Sequence, residues 1–205
     1  MSLNTLVKIS GVNNLSDARY CAGMGAAILG FCPEADHPDY VDPGKFKEIT
    51  GWVQGVKVAG EFYNSSIEQI HEIVAEYNFD FLQVADPGLV AEVSGLQKPV
   101  IYQVDLNLTD NIEEVRDQFE RLKDLTLFFI IEGRNIKPEW IKLTGQLADK
   151  FPVLTGVDIT GQNVTGILNE YNFHGLSLKG GSEIKPGYYD FGMLAEILEL
   201  LDAGD

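Results

Sequence analysis

The stretch that decides the fold is Thr5–Ala18, T-L-V-K-I-S-G-V-N-N-L-S-D-A. A β-branched, apolar run from Thr5 to Ile9 stops at a lone hydroxyl, Ser10. Gly11 then opens a turn rich in helix-capping side chains that leads to Asp17-Ala18, with Ser16 as the expected cap. A strand that turns so directly into a helix starts a strand–helix unit of a parallel sheet. The turn lacks the G-x-G-x-x-G that a dinucleotide-binding sheet carries at this place, which weighs against an open doubly wound fold.

Further along the chain the unit recurs. Apolar, β-branched runs occupy Thr5–Ile9, Ala26–Phe31, Gly55–Phe62, Phe79–Val84, Pro99–Val104, Thr126–Ile131, Val153–Val157 and Phe173–Leu178. Segments with helical spacing separate them, and several carry start signals: Ser65-Ser66 before I-E-Q-I-H-E-I-V, and Asn111 before I-E-E-V-R-D-Q-F. A last helix is expected over Phe191–Leu201. Eight repeats with no linker and no shift in composition predict an α/β fold with one closed (β/α)8 TIM barrel spanning residues 1–205. An open doubly wound sheet is the alternative.

Composition narrows the function. Among 205 residues, 45% are hydrophobic, enough for a substantial core. Against 15 Lys plus Arg stand 31 Asp plus Glu, and the formal charge of -16 repels nucleic-acid phosphates and anionic lipid alike, so neither is an expected partner. Cys21 and Cys32 show no metal-binding spacing and read as reduced thiols of a cytoplasmic protein; no metal and no cofactor is implied. No apolar run reaches the roughly 18 to 20 residues of a membrane helix, and the first residues lack the layout of a signal peptide. The sequence leaves the oligomeric state open.

In such a barrel ligands sit on the loops after the strands. The seventh and eighth loops bring Gly156, Gly161, Gly180, Gly181 and Ser182 together with helix starts, a corner whose backbone N–H groups commonly hold phosphate. Alternation along the first strand sends Lys8 into the barrel, where it needs a carboxylate, and Glu61 on the third strand is the expected partner. Gln83 is either an interior packing residue or a ligand contact. His37, His71 and His174 are expected at the surface, and Trp52 and Trp140 in the core or against helices.

Six blocks in order along the chain resemble the phosphoribosylanthranilate isomerase family. V-K-I-S-G-V resembles that family's K-I-C-G-[LI], and D-A-R-Y-C-A-G-M-G-A-A-I-L-G-F its D-A-x-x-A-x-x-x-G-A-D-x-x-G-F. H-P-D-Y-V is similar to S-P-R-x-[VI], A-G-E-F-Y-N to V-G-V-F-V-N, and F-L-Q-V-A-D to V-Q-L-H-G. H-G-L-S-L-K-G-G-S-E with P-G-Y-Y-D is similar to G-V-D-x-S-S-G-V-E with P-G-x-K-D. The resemblance implies a barrel that rearranges a ribosylamine phosphate to a 1-deoxyribulose phosphate in tryptophan biosynthesis, with a Cys base and an Asp acid.

On those motifs Ser10 stands where the family has its Cys, and Glu132 where it has its Asp. Asp39 replaces the Arg that meets the anthranilate carboxylate. Ser177 replaces an Asp, Asp158 falls near the second glycine of A-G-G, and both are candidates to line the pocket. The family's G-G-T-G after the sixth strand is absent, while Lys179 stands beside Gly180-Gly181 to meet an anion. An unassisted serine hydroxyl is a poor base near neutral pH, whereas a thiol can be lowered into use. Two readings follow: an isomerase of this type acting on a phosphorylated sugar-type molecule, or a non-catalytic barrel that binds a phosphometabolite or a protein.

Overall fold

A computed structural model describes residues 2–109, 111–185 and 188–204, with 182–185 and 188–189 described by backbone alone. Its strands and helices alternate: β1 (Leu6–Ser10), α1 (Leu15–Gly23), β2 (Ile28–Phe31), α2 (Pro43–Trp52), β3 (Lys57–Phe62), α3 (Ile67–Glu76), β4 (Phe81–Val84), α4 (Val90–Ser94) and β5 (Val100–Asp105). Then follow α5 (Ile112–Leu122), β6 (Phe128–Gly133), α6 (Pro138–Ala148), β7 (Val153–Val157), α7 (Val164–Glu170), β8 (Gly175–Lys179), β9 (Ser182–Lys185), β10 (Tyr188–Asp190) and α8 (Gly192–Leu200). Strands β1 to β8 form a closed parallel barrel, shut by β1 against β8 with Lys8 opposite Ser177 and Ser10 opposite Lys179. All eight expected runs are strands. An antiparallel hairpin, β9 with β10, was not foreseen, and the Pro186-Gly187 of P-G-Y-Y-D lies outside the described residues.

Capping follows local chemistry with one shift. Ser66 forms a capping box with Gln69 on α3, and Asn111 caps α5. The cap of α1 is Asn14, not Ser16: the Asn14 side chain accepts the Asp17 N–H at 2.9 Å. Because the family of capping residues runs N-N-L-S, the backbone chose the earlier of two good candidates.

Side-chain alternation splits the strands into two faces. Outward residues such as Val7, Ile9, Phe31, Phe62, Phe129 and Val153 pack under the helices in one large core. Inward residues form two levels. The lower is apolar, with Ile28, Ala59, Ile101, Ile130 and Leu154. Above it, towards the carboxyl ends, the interior turns polar: Lys8, Ser10, Glu61, Gln83, Gln103 and Ser177 are all buried. Trp52 departs from expectation: it lies 67% exposed at the last residue of α2, where the helix has turned its apolar stripe away from solvent and this position falls off it.

Candidate active site

The polar level divides into two clusters. On the β1–β3 side, the Lys8 ammonium donates to Glu61 Oε1 at 2.5 Å and to Ser10 Oγ at 2.7 Å. Neither the Lys8 nor the Glu61 side chain is accessible to solvent. Glu61 Oε2 accepts the Gly11 N–H at 3.0 Å and the Tyr63 hydroxyl at 3.4 Å. A Cβ on Gly30 would stand 2.0 Å from Glu61 Oε1, so glycine there is the condition for this carboxylate to fit. Lys8 and Glu61 are the pair expected from alternation. His37, expected on the surface, instead stacks on Tyr63 with ring centroids 4.9 Å apart, because the loop after β2 folds over the barrel mouth; His71 and His174 are exposed.

On the β5–β8 side, Glu132 sits at the end of β6. Its Oε1 accepts the Ser177 hydroxyl at 2.7 Å and its Oε2 the Gln103 amide at 3.1 Å. Gln103 accepts in turn from Gln83, which places Gln83 in the interior network. Glu132 therefore neither caps a helix nor meets Arg134. Burial pushes its carboxyl up from the ordinary carboxylate range, opposed by Lys8 and by the Ser177 hydrogen bond, and reinforced by Glu61 and Asp105. Gly156 gives it room: a Cβ there would meet the Ser177 carbonyl at 2.5 Å and Glu132 Cγ at 3.2 Å.

Beside Glu132 opens a cavity of about 530 Å³, lined among others by Gly156, Ser177, Lys179 and Gly180 from the expected set, and by Arg134 and Met193 from outside it. Ser10 is only 4% exposed and lies in the closed cluster. Asp39 stands at the rim, where its Oδ2 is 3.9 Å from the exposed Lys179 ammonium. Asp158 does not line the cavity; its carboxylate accepts the Asn135 and Ile136 N–H groups at 2.7 and 2.8 Å and so holds the loop after β6. Gly161 lies away from the cavity with the Glu196 carboxylate packed over it. Of Ser182 only its place in β9, opposite Asp190, is described.

The glycine corner is already hydrogen-bonded internally. Gly180 N–H donates to the Ser10 carbonyl at 3.0 Å, and Gly181 N–H to Asp17 Oδ1 at 3.1 Å. Asp17 is buried on α1, and desolvation raises its carboxyl pKa, with the Gly181 bond working the other way. Sequence reasoning had placed Asp17 only at a helix start; nothing local signals that its carboxylate reaches the eighth loop, 164 residues away. Among the described residues, no three His, Cys, Asp or Glu side chains group as a metal ion would require, and no described helix is long and apolar enough to cross a membrane.

Comparison with known proteins adds the following. The family model described as N-(5'-phosphoribosyl)anthranilate (PRA) isomerase matches residues 7–200. The N-(5'-phosphoribosyl)anthranilate isomerase of Gloeothece citriformis is 26% identical over 205 residues, covering 95% of this chain and 93% of that one. That of Sulfurihydrogenibium sp. is 24% identical, covering 96% and 98%. Among solved structures, phosphoribosylanthranilate isomerase from Thermotoga maritima is similar with a TM-score of 0.76 at 19% identity, covering 95% of this chain and 97% of that one. A phosphoribosylanthranilate isomerase in complex with reduced 1-(o-carboxyphenylamino)-1-deoxyribulose 5-phosphate is similar with the same TM-score at 18% identity and the same coverage.

Proposed function

The chain belongs to the N-(5'-phosphoribosyl)anthranilate isomerase family, and from that premise we propose that it is an isomerase of tryptophan biosynthesis that opens a phosphorylated, N-substituted ribosylamine with Glu132 as proton donor. The observation that carries the reading is Glu132 itself: a carboxyl whose pKa burial raises, held by Ser177 and Gln103, beside a cavity large enough for a sugar phosphate. Its proton passes to the ring oxygen as the C1–O bond breaks, and the nitrogen lone pair closes a C1=N iminium. Loss of the C2 proton to a water in the cavity then gives an enolamine that tautomerises to the ketone.

The second step is the weak one. Ser10 Oγ accepts from the Lys8 ammonium and has no base to take its proton, since Lys8 is itself paired with Glu61. We expect turnover well below what a thiolate at this place would support. We place the phosphate end against Gly156, Lys179 and Gly180. The free, buried Cys21 and Cys32 support a cytoplasmic setting.

A second reading, a barrel that binds without turnover, draws on the Ser10 and Asp39 departures. Complementation separates the two. In a tryptophan auxotroph lacking this isomerase, growth with the wild-type chain and none with Glu132→Gln supports the isomerase. No growth with abundant wild-type protein selects the binding barrel.

A further inference from the structure

We propose that a side chain, the guanidinium of Arg134, grips the anionic end of the ligand. The inference rests on the reading of the β5–β8 cavity as a site for a phosphorylated small molecule.

Several amides at and near the cavity are spent inside the protein. Arg134 N–H donates to Asn107 Oδ1 at 2.8 Å, and those of Asn135 and Ile136 go to the Asp158 carboxylate. Thr160 N–H donates to Asn163 Oδ1 at 2.8 Å and Gly192 N–H to Asp190 Oδ1 at 2.8 Å. Gly180 and Gly181 are held by the Ser10 carbonyl and by Asp17. Four of these seven donors face a carboxylate. An incoming anion would have to displace a negative charge from each of them, which costs more than the amide returns.

Arg134 is placed differently. Its backbone is fixed twice by one side chain, since Asn107 Nδ2 also donates to the Arg134 carbonyl at 2.9 Å. Arg134 lines the cavity, and its guanidinium forms no ion pair with any described carboxylate. The root of the side chain is therefore anchored and its head is available. Lys179, the other cation among the described lining residues, is drawn towards Asp39 across the mouth. Of the lining carboxyls, Asp105 and Asp190 each hold an amide, and Glu132 is turned to Ser177 and Gln103. A planar guanidinium offers two parallel N–H donors, the geometry of a phosphate monoester, and it grips by charge where an amide cradle grips by shape. The loop after β6, short as it is, thus contributes a cation to the site.

The test titrates the full chain with ribose 5-phosphate and with ribose, by calorimetry and by amide shifts, at low and at high salt. The wild type is expected to bind ribose 5-phosphate with an affinity that falls as salt rises. Arg134→Gln is expected to weaken it by about tenfold or more and leave ribose unaffected, with Arg134→Lys in between because it keeps the charge and loses the fork. Lys179→Gln should cost less than Arg134→Gln. If Arg134→Gln binds ribose 5-phosphate within about twofold of the wild type, or Lys179→Gln loses more, the grip is overturned while the cavity reading stands. A wild type that binds neither ligand at millimolar concentration overturns both.

Discussion

The two halves of the barrel mouth carry similar residues to different ends. On the β1–β3 side a lysine and a glutamate neutralise one another in a closed cluster, with no accessible side-chain surface and a serine bound to the ammonium. On the β5–β8 side a glutamate has hydroxyl and amide partners in place of a cation, and stands beside an open cavity. A carboxylate with a salt-bridge partner inside a barrel is held in place by that partner. One given hydroxyl and amide partners and little water rises in pKa, the condition a proton donor needs. The difference lies in the partner, not in the residue type.

The largest expected effect breaks the closed half. Glu61→Leu strands the Lys8 ammonium in the interior at a cost of about 3–5 kcal/mol, a loss of roughly 10 °C or more in melting temperature. Lys8→Met with Glu61→Leu should recover much of that loss, which a thermal melt of the single and double variants will show. The matching change in the open half, Glu132→Gln, is expected to spare the melting temperature within a few degrees and to lower isomerase turnover by about a hundredfold or more. Equal stability losses for the two glutamates would erase the contrast.

Their pH responses sharpen it. Glu132 binds its proton more tightly folded than unfolded, so its stabilising contribution is complete below the unfolded carboxyl pKa and is lost as pH rises through the raised folded value. Turnover that needs the protonated form should fall over the same rise. Glu132→Gln, which keeps the neutral shape, should flatten that stability loss in melts taken across the range.

Ser10→Cys tests whether the closed half can be brought into the chemistry. A thiol beside the Lys8 ammonium is lowered towards thiolate, and steady-state turnover should rise severalfold, to roughly tenfold. An unchanged rate in a chain that already turns over would show that the base lies elsewhere. The smallest effect belongs to the pair that bridges the halves at the surface. Asp39 and Lys179 stand 3.9 Å apart with the lysine mostly in water, so Asp39→Asn should shift the melting temperature by no more than a degree or two, less at high salt.

The eight strands, the burial of Lys8 with Glu61, and the rim positions of Glu132, Gly156, Ser177, Lys179 and Gly180 were all legible along the chain, because strand alternation and strand ends are local properties that a period of two reveals. The hairpin after β8 was not, since K-G-G-S-E-I-K-P-G-Y-Y-D reads as a long loop until two short edges find each other. Nor could spacing show what the glycine amides face. Asp17 reaches Gly181 from α1, Asp158 takes the amides after β6 from the end of β7, and Glu196 covers Gly161 from α8. The sequence by itself determined which residues stand at the mouth of the barrel. Only the closing of the barrel decided which carboxylates spend their charge on neighbouring amides and which cation is left facing the cavity, because those pairings join residues distant in the chain through contacts that no local pattern records.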